Sequence, residues 1–206
     1  MTDSFDTAQL IAIASVLGFA SGIRLYLVLF AVGLAGYMHW VPLSAGLQLL
    51  AHPWVLGASG LMMAIEFFAD KIPALDSLWD TVHTLIRIPA GAALAAAVLG
   101  GDSATWATIA AVLGGSLAAT SHFTKAGSRA LINTSPEPFS NLVASGVEDV
   151  LVGGLLLLVL AHPWVAASIV LLLVLLAIWL LPKLLRFVVR LVRRLTGGEP
   201  APEEVR

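Results

Sequence analysis

Residues 62–89 read MMAIEFFADKIPALDSLWDTVHTLIRIP, and this stretch decides the fold. An apolar run closes on Glu66 and Asp70, Pro73 breaks it, and a second helix resumes near Ala74. From there Asp76, Asp80, His83 and Arg87 recur at i, i+4, i+7 and i+11, which sets them on one helical face. Leu75, Leu78, Trp79 and Val82 take the opposite face. Residues 121–149, SHFTKAGSRALINTSPEPFSNLVASGVED, carry polar groups just as densely. We expect the two stretches to meet at one membrane face and to form the functional site.

The rest of the chain says why a membrane is involved. Of 206 residues, 59% are hydrophobic and 12% charged, against roughly 25% charged in a soluble domain. Mean hydropathy is +0.94. The class is an all-α, polytopic helical bundle. The length suits one transmembrane domain (residues 1–198) of about six spans at ~20 residues each. A basic amphipathic helix (182–195) closes it, and residues 199–206 are expected as a disordered tail. The N-terminus lacks a basic n-region and a cleavage site, so the first apolar run reads as a retained span. There are no cysteines, which removes disulfides, zinc–thiolate sites and Cys nucleophiles. The net charge of −2 carries no argument for nucleic acid, and no cofactor motif is present.

Taken in order, span one runs from about Ala8 to Tyr37. Gly18 and Gly22 have the G-x-x-x-G spacing that lets a neighbouring helix approach closely. Arg24 sits near mid-span, where a guanidinium costs about 2.5–3.5 kcal/mol on insertion scales. Residues 38–52 are a short loop with an aromatic anchor. Span two starts at Pro53-Trp54. Span three follows the amphipathic entry, with Pro89 as its expected kink. Span four starts at Trp106 and continues as a polar stripe through Lys125. Span five carries Asn141, Ser145 and Glu148 at i, i+4 and i+7. Span six runs from Pro163 to Leu181, and Pro182 leads into the basic helix, expected on the membrane surface. The six residues Leu50–Val55 recur as Leu160–Val165, each copy opening a span with Pro and Trp, which reads as a recurring interfacial anchor.

Charge distribution sets the expected topology. The loops 38–52, 101–105 and 161–163 contain no Lys or Arg. Lys71, Arg87, Lys125, Arg129, Lys183, Arg186, Arg190, Arg193 and Arg194 fall on the other side, so that side is cytoplasmic by the positive-inside rule. Six crossings would put both termini there, in an inner membrane. Spans one to three and four to six would run in opposite senses, as in a three-plus-three inverted repeat.

The candidate ion- or substrate-binding residues are Arg24, Glu66, Asp70, His122, Lys125, Arg129, Glu148 and Asp149. Glu66 and Glu148 lie a turn or more inside their spans, where an unpaired carboxylate marks an ion path, a proton relay or a buried pair. Asp76, Asp80, His83 and Arg87 form a secondary cytoplasmic face, read as solvated, pairing charges. A static salt bridge between Arg24 and a glutamate competes with any functional role. Paired carboxylates leave a metal ion open, and the mixture of signs leaves the solute's charge open. No Walker A, H-E-x-x-H or G-x-S-x-G pattern occurs, so an enzyme is not expected.

At these same residues the chain resembles a bacterial inner-membrane family catalogued as domain of unknown function 4126. The resemblance rests on Ala20-Ser-Gly-Ile-Arg24, on E-x-x-x-D-K-I-P-x-L-D from Glu66 to Asp76 with His83 and Arg87-Ile-Pro, on the Lys125/Arg129 helix, and on Ser140-Asn141 through Glu148-Asp149. It covers nearly all of residues 10–195, and implies a multi-span inner-membrane protein without an assigned activity.

The expected function is a transporter or channel for a small ion or solute, with Glu66 and Glu148 as cation or proton ligands and Arg24 as their counter-charge. The alternative is a scaffold or accessory subunit whose buried charges are structural pairs. Expected partners are the bilayer, anionic lipid headgroups along residues 183–194, and a second copy of the chain.

Overall fold

A computed structural model describes residues 6–99, 103–134 and 138–195. The expected tail at 199–206 and the turn at Asp102 lie outside the described residues. Six long helices make up the bundle: α1 (Thr7–Tyr37), α2 (Pro53–Ala69), α3 (Pro73–Leu99), α4 (Ala104–Ile132), α5 (Pro138–Ala161) and α6 (Pro163–Leu195). Among the described residues five are long and apolar enough to cross a membrane. A sixth span arises if α2 is joined to the 3₁₀ turn Ala45–Ala51, from which it departs at 70°.

Helix starts follow local chemistry. At α1, Asp6 accepts a hydrogen bond from the Gln9 amide at 2.7 Å while the Gln9 side chain accepts one from the Asp6 amide at 2.9 Å, a capping box. The helices α2, α3, α5 and α6 each begin at a proline, whose missing N–H costs nothing in the first turn.

The first helix holds the main departure from expectation. Arg24 has φ −138° and ψ 72°, so α1 is two helices joined at a break, and they double back on one another. Ile13 and Leu17 from the first half line the same cavity of about 190 Å³ as Ala31, Val32 and Ala35 from the second. A straight helix at 1.5 Å per residue would hold Ile13 and Ala35 about 33 Å apart. Helix α3 confirms the reversal. It passes Ser21 at Gly91 and, further along, its Ala97 carbonyl accepts from the Ser44 hydroxyl at 2.7 Å, while Gly36 lies against Leu43. Thus Gly36 stands level with the far end of α3, not beyond its near end.

Two ends of the bundle follow from this. Trp40, Trp54, Trp106 and Trp164 mark one end, where α2, α4 and α6 begin; all four are exposed, as interfacial anchors are. At the other end stand Arg24, the end of α2 and the start of α3. The start of α1 is therefore at the tryptophan end, and the basic stretch of α6 extends past the charged end. Span one was expected to cross once, which would leave the start of α1 and the end of α6 at one end of the bundle; because it turns back at Arg24, these two helix ends lie at opposite ends of the bundle. The second half of α1 with α2 and α3, and α4 with α5 and α6, still run in opposite senses as sets of three.

Packing explains why α1 can sit at the centre. Its residues from Val16 to Leu25 are buried on every side, and small residues let the neighbours close in. A Cβ on Gly18 would come within 2.7 Å of the Gly114 backbone, and one on Gly22 would collide with Ser121 and Ala118. Outward faces are apolar: Leu157, Leu172, Leu78 and Leu85 are all exposed. Helix α6 continues unbroken through Pro182 to Leu195, about 50 Å at 1.5 Å per residue. The basic segment is thus continuous with the sixth span as one helix, since a helix tolerates proline where other groups satisfy the freed carbonyl.

Candidate functional site

The break at Arg24 places a buried guanidinium at the turn of a helical hairpin. Three carboxylates surround it. Arg24 pairs with Asp70 at the end of α2, and its Nε lies 2.9 Å from Asp149 Oδ1 and its Nη2 3.4 Å from Glu148 Oε2 on α5. Its Nη2 also donates to the Ser145 hydroxyl at 2.8 Å and carbonyl at 3.0 Å. The break frees backbone carbonyls, and α4 supplies donors for them. The Ser121 hydroxyl donates to the Phe19 carbonyl at 2.7 Å, and Lys125 Nζ to that of Ile23 at 3.3 Å.

Helix α3 brings the second half of the cluster. Its face of Asp76, Asp80, His83 and Arg87 is 0–4% exposed, whereas Leu75, Leu78 and Val82 are 47–61% exposed. The amphipathic face is thus real but turned inward, with lipid on its apolar side. Arg87 clamps two carboxylates, Glu66 Oε1 at 2.6 Å and Asp80 Oδ1 at 2.7 Å. His122 stands beside it, Nδ1 at 3.2 Å from Arg87 Nη1 and Nε2 at 2.7 Å from the Thr84 hydroxyl. His83 bonds the Tyr26 hydroxyl at 3.0 Å and stacks on Trp79.

Two cations of α4 join the halves. Lys125 Nζ lies 2.9 Å from Asp70, 3.5 Å from Asp80 and 3.4 Å from Glu148. Arg129 grips both oxygens of Glu148 at 3.0 Å, bonds Asn141 Oδ1 at 2.9 Å and reaches Asp76 at 3.8 Å. Asn133 closes the lower rim, donating to Asp76 Oδ2 at 3.0 Å and accepting from Asn141 at 2.6 Å. Just outside the spans, Lys71 donates to the Phe67 carbonyl at 2.9 Å. Loss of solvent holds its ammonium below the ordinary lysine value, an effect the Asp149 carboxylate opposes.

All eight expected residues therefore share one site. The expected division into a main and a secondary group does not hold: Asp76, Asp80, His83 and Arg87 are at its centre, buried and not solvated. The partner of Glu66 is Arg87, not Arg24. Sequence reasoning left out Asn133, Asn141, Ser145 and Thr84, although Asn141, Ser145 and Glu148 had the helical spacing that signals a shared face.

The charge balance is uneven. Six carboxylates (Glu66, Asp70, Asp76, Asp80, Glu148, Asp149) face four cations (Arg24, Arg87, Lys125, Arg129). Among the described residues Glu66 Oε2, Asp70 Oδ1, Asp76 Oδ1 and Asp80 Oδ2 are buried without a hydrogen-bond donor, and Arg24 Nε and Arg87 Nε are buried without a hydrogen-bond acceptor. Buried polar groups are ordinarily satisfied; here unmet carboxylate oxygens outnumber unmet guanidinium nitrogens four to two, in keeping with the excess of carboxylates. No group of three or more His, Asp and Glu side chains is arranged to hold a metal ion among the described residues.

Depth matters too. Lys125 lies nineteen residues past Trp106, about 28 Å along α4, so the cluster sits at the far edge of a ~30 Å hydrocarbon layer. Cavities reach it from three sides: about 460 Å³ between α1, α2 and α5, about 200 Å³ beside Lys125 and Glu148, and about 230 Å³ between α3 and α4, lined by Ser77, Asp80, Thr81 and Thr84.

Residues 11–183 match the family model described as a domain of unknown function (DUF4126). No curated protein and no solved structure matches.

Proposed function

The chain belongs to the DUF4126 family, and because that description assigns no activity, we propose from the geometry that this membrane protein is a transporter or channel for a small cation or proton. The supporting observation is the set of four buried carboxylate oxygens without donors, in a cluster short of positive charge. Charged groups buried this fully within the protein are expensive, and a fixed structural network would be expected to satisfy each one. Oxygen acceptors held on α2 and α3 suit a cation that comes and goes. With no metal-type ligand group among the described residues, a proton or an organic cation fits better than a metal ion.

In this reading Arg24 and Arg87 are the internal counter-charges, holding the carboxylates apart so that two remain under-neutralised. Lys125 and Arg129 couple the sub-clusters, so a change at Asp80 is felt at Glu148. The broken α1 supplies the joint, its two halves being short and linked by a single non-helical residue. We place the basic end of α6 in the cytoplasm of a bacterial cell, by the positive-inside rule, with its arginines available to anionic headgroups. A second copy of the chain is the expected partner.

The test is flux into proteoliposomes. Wild type should dissipate an imposed proton or cation gradient, and Glu66→Gln and Glu148→Gln should each slow it at least about tenfold while remaining folded. Undiminished flux in both variants rules the reading out. The density of ion pairs around Asp70 and Arg129 favours a scaffold as the second reading; wild type would then carry no flux, and the variants would lose only stability.

A further inference from the structure

Of the three cavities at the cluster, the one between α1, α2 and α5 differs in kind. It is the largest of them, about 460 Å³. Its polar residues are Arg24, Glu66 and Asp149; the rest of its wall, including Leu27, Met63, Phe67 and Phe68, is apolar or aromatic. Helices α2 and α5 flank it while barely touching one another, so it opens sideways between them. The neighbouring outer faces are apolar and exposed, Phe68 at 66% and Val150 at 76%, as surfaces turned to lipid are.

We propose that this cavity binds a lipophilic organic cation, an ammonium or phosphonium carried on an apolar body, entering laterally from the bilayer. The charges point one way. Arg24 is already engaged by Asp70, Glu148 and Asp149, so it offers little to an incoming anion. Glu66 is 1% exposed, and its Oε2 has no donor although its other oxygen is held by Arg87. Asp149 is the most accessible carboxylate of the cluster, its side chain 29% exposed. Lys71 lies nearby, over the Phe67 ring; counting it as a fifth cation still leaves the carboxylates in excess. With one face of Phe67 taken by Lys71, the Phe68 ring complements a delocalised cation through its face, and the apolar wall accepts its body. A small hydrated ion would use the aromatic half of this space poorly.

The role of this site rests on the transport reading, but its occupancy does not, and the test separates the two. The probe is tetraphenylphosphonium, titrated onto the full-length protein in nanodiscs, with tetraphenylborate as its anionic counterpart of the same shape. The expected result is saturable phosphonium binding, weakened about tenfold or more by Glu66→Gln and by Asp149→Asn. Gly153→Phe should abolish it. Gly153 lines the cavity and a Cβ there meets nothing within 4 Å, so the larger residue can be accepted without displacing the backbone. An equally bulky change on an exposed face of α4, Ile109→Trp, should leave binding as it is. Borate binding as tight as phosphonium, or unaltered affinity in Gly153→Phe, would overturn the proposal. Phosphonium binding of the expected kind without any gradient-dependent flux keeps the site and removes transport. Glutamate-dependent flux without phosphonium binding does the reverse.

Discussion

Arg87 shows at the scale of one residue what holds the cluster together. It is fully buried and bridges Glu66 and Asp80 across two helices. Removing such a partner strands two ionised groups, which costs about 3–5 kcal/mol where buried pairs have been broken. Arg87→Met should therefore lower the unfolding free energy by about that amount in detergent titrations. Arg87→Lys should recover only part of it, since an ammonium cannot reproduce the planar fork. Little change in either variant would mean that the two carboxylates are not ionised against Arg87. The identity of these residues was legible in the chain, because charges within apolar sequence have few other uses. Their pairing was not. Glu66 could have met Arg24 or Arg87 equally well on spacing alone, and the choice is made by where α1 turns, a tertiary fact.

Among the elements, α1 and α4 carry the argument. Gly18 and Gly22 were readable as a close-approach face, and the structure sets them against Gly114 and Ala118. Even one methyl group at Gly22 collides with Ser121 and the Ala118 carbonyl, so Gly22→Ala should cost about 1–3 kcal/mol, the usual range for overpacking. Gly146→Ala on α5 meets open space and should be neutral or gain about 0.5–1 kcal/mol of helix propensity. Thermal unfolding of the two variants side by side checks the contrast; equal behaviour would mean that α1 does not lie against α4 at that point. The break in α1 could not be read from residues 8–37, because neither proline nor a polar gap interrupts them. Only Arg24 stood out, and a mid-span arginine fits a straight helix as well as a hairpin. The inward face of α3 was legible as a stripe, but a stripe of charges reads the same whether it faces water or a buried partner.

For the whole molecule, the hairpin has a topological consequence. With no native cysteines, single-cysteine variants report sidedness without interference. Asp6→Cys and Leu49→Cys should react with an impermeant thiol reagent from one side of the membrane, and Thr134→Cys from the other. Labelling of Asp6→Cys and Thr134→Cys from the same side would restore a straight α1. The claim at the centre of the account is that the buried acidic cluster is connected to water and biased toward cations. Ser145, held against Arg24 in the middle of the cluster, tests it most directly. In sealed vesicles of known orientation, Ser145→Cys should react from the side of the α6 arginines, and faster with a cationic methanethiosulfonate than with an anionic one of similar size. No reaction from either side, or faster reaction with the anionic reagent, would contradict the account.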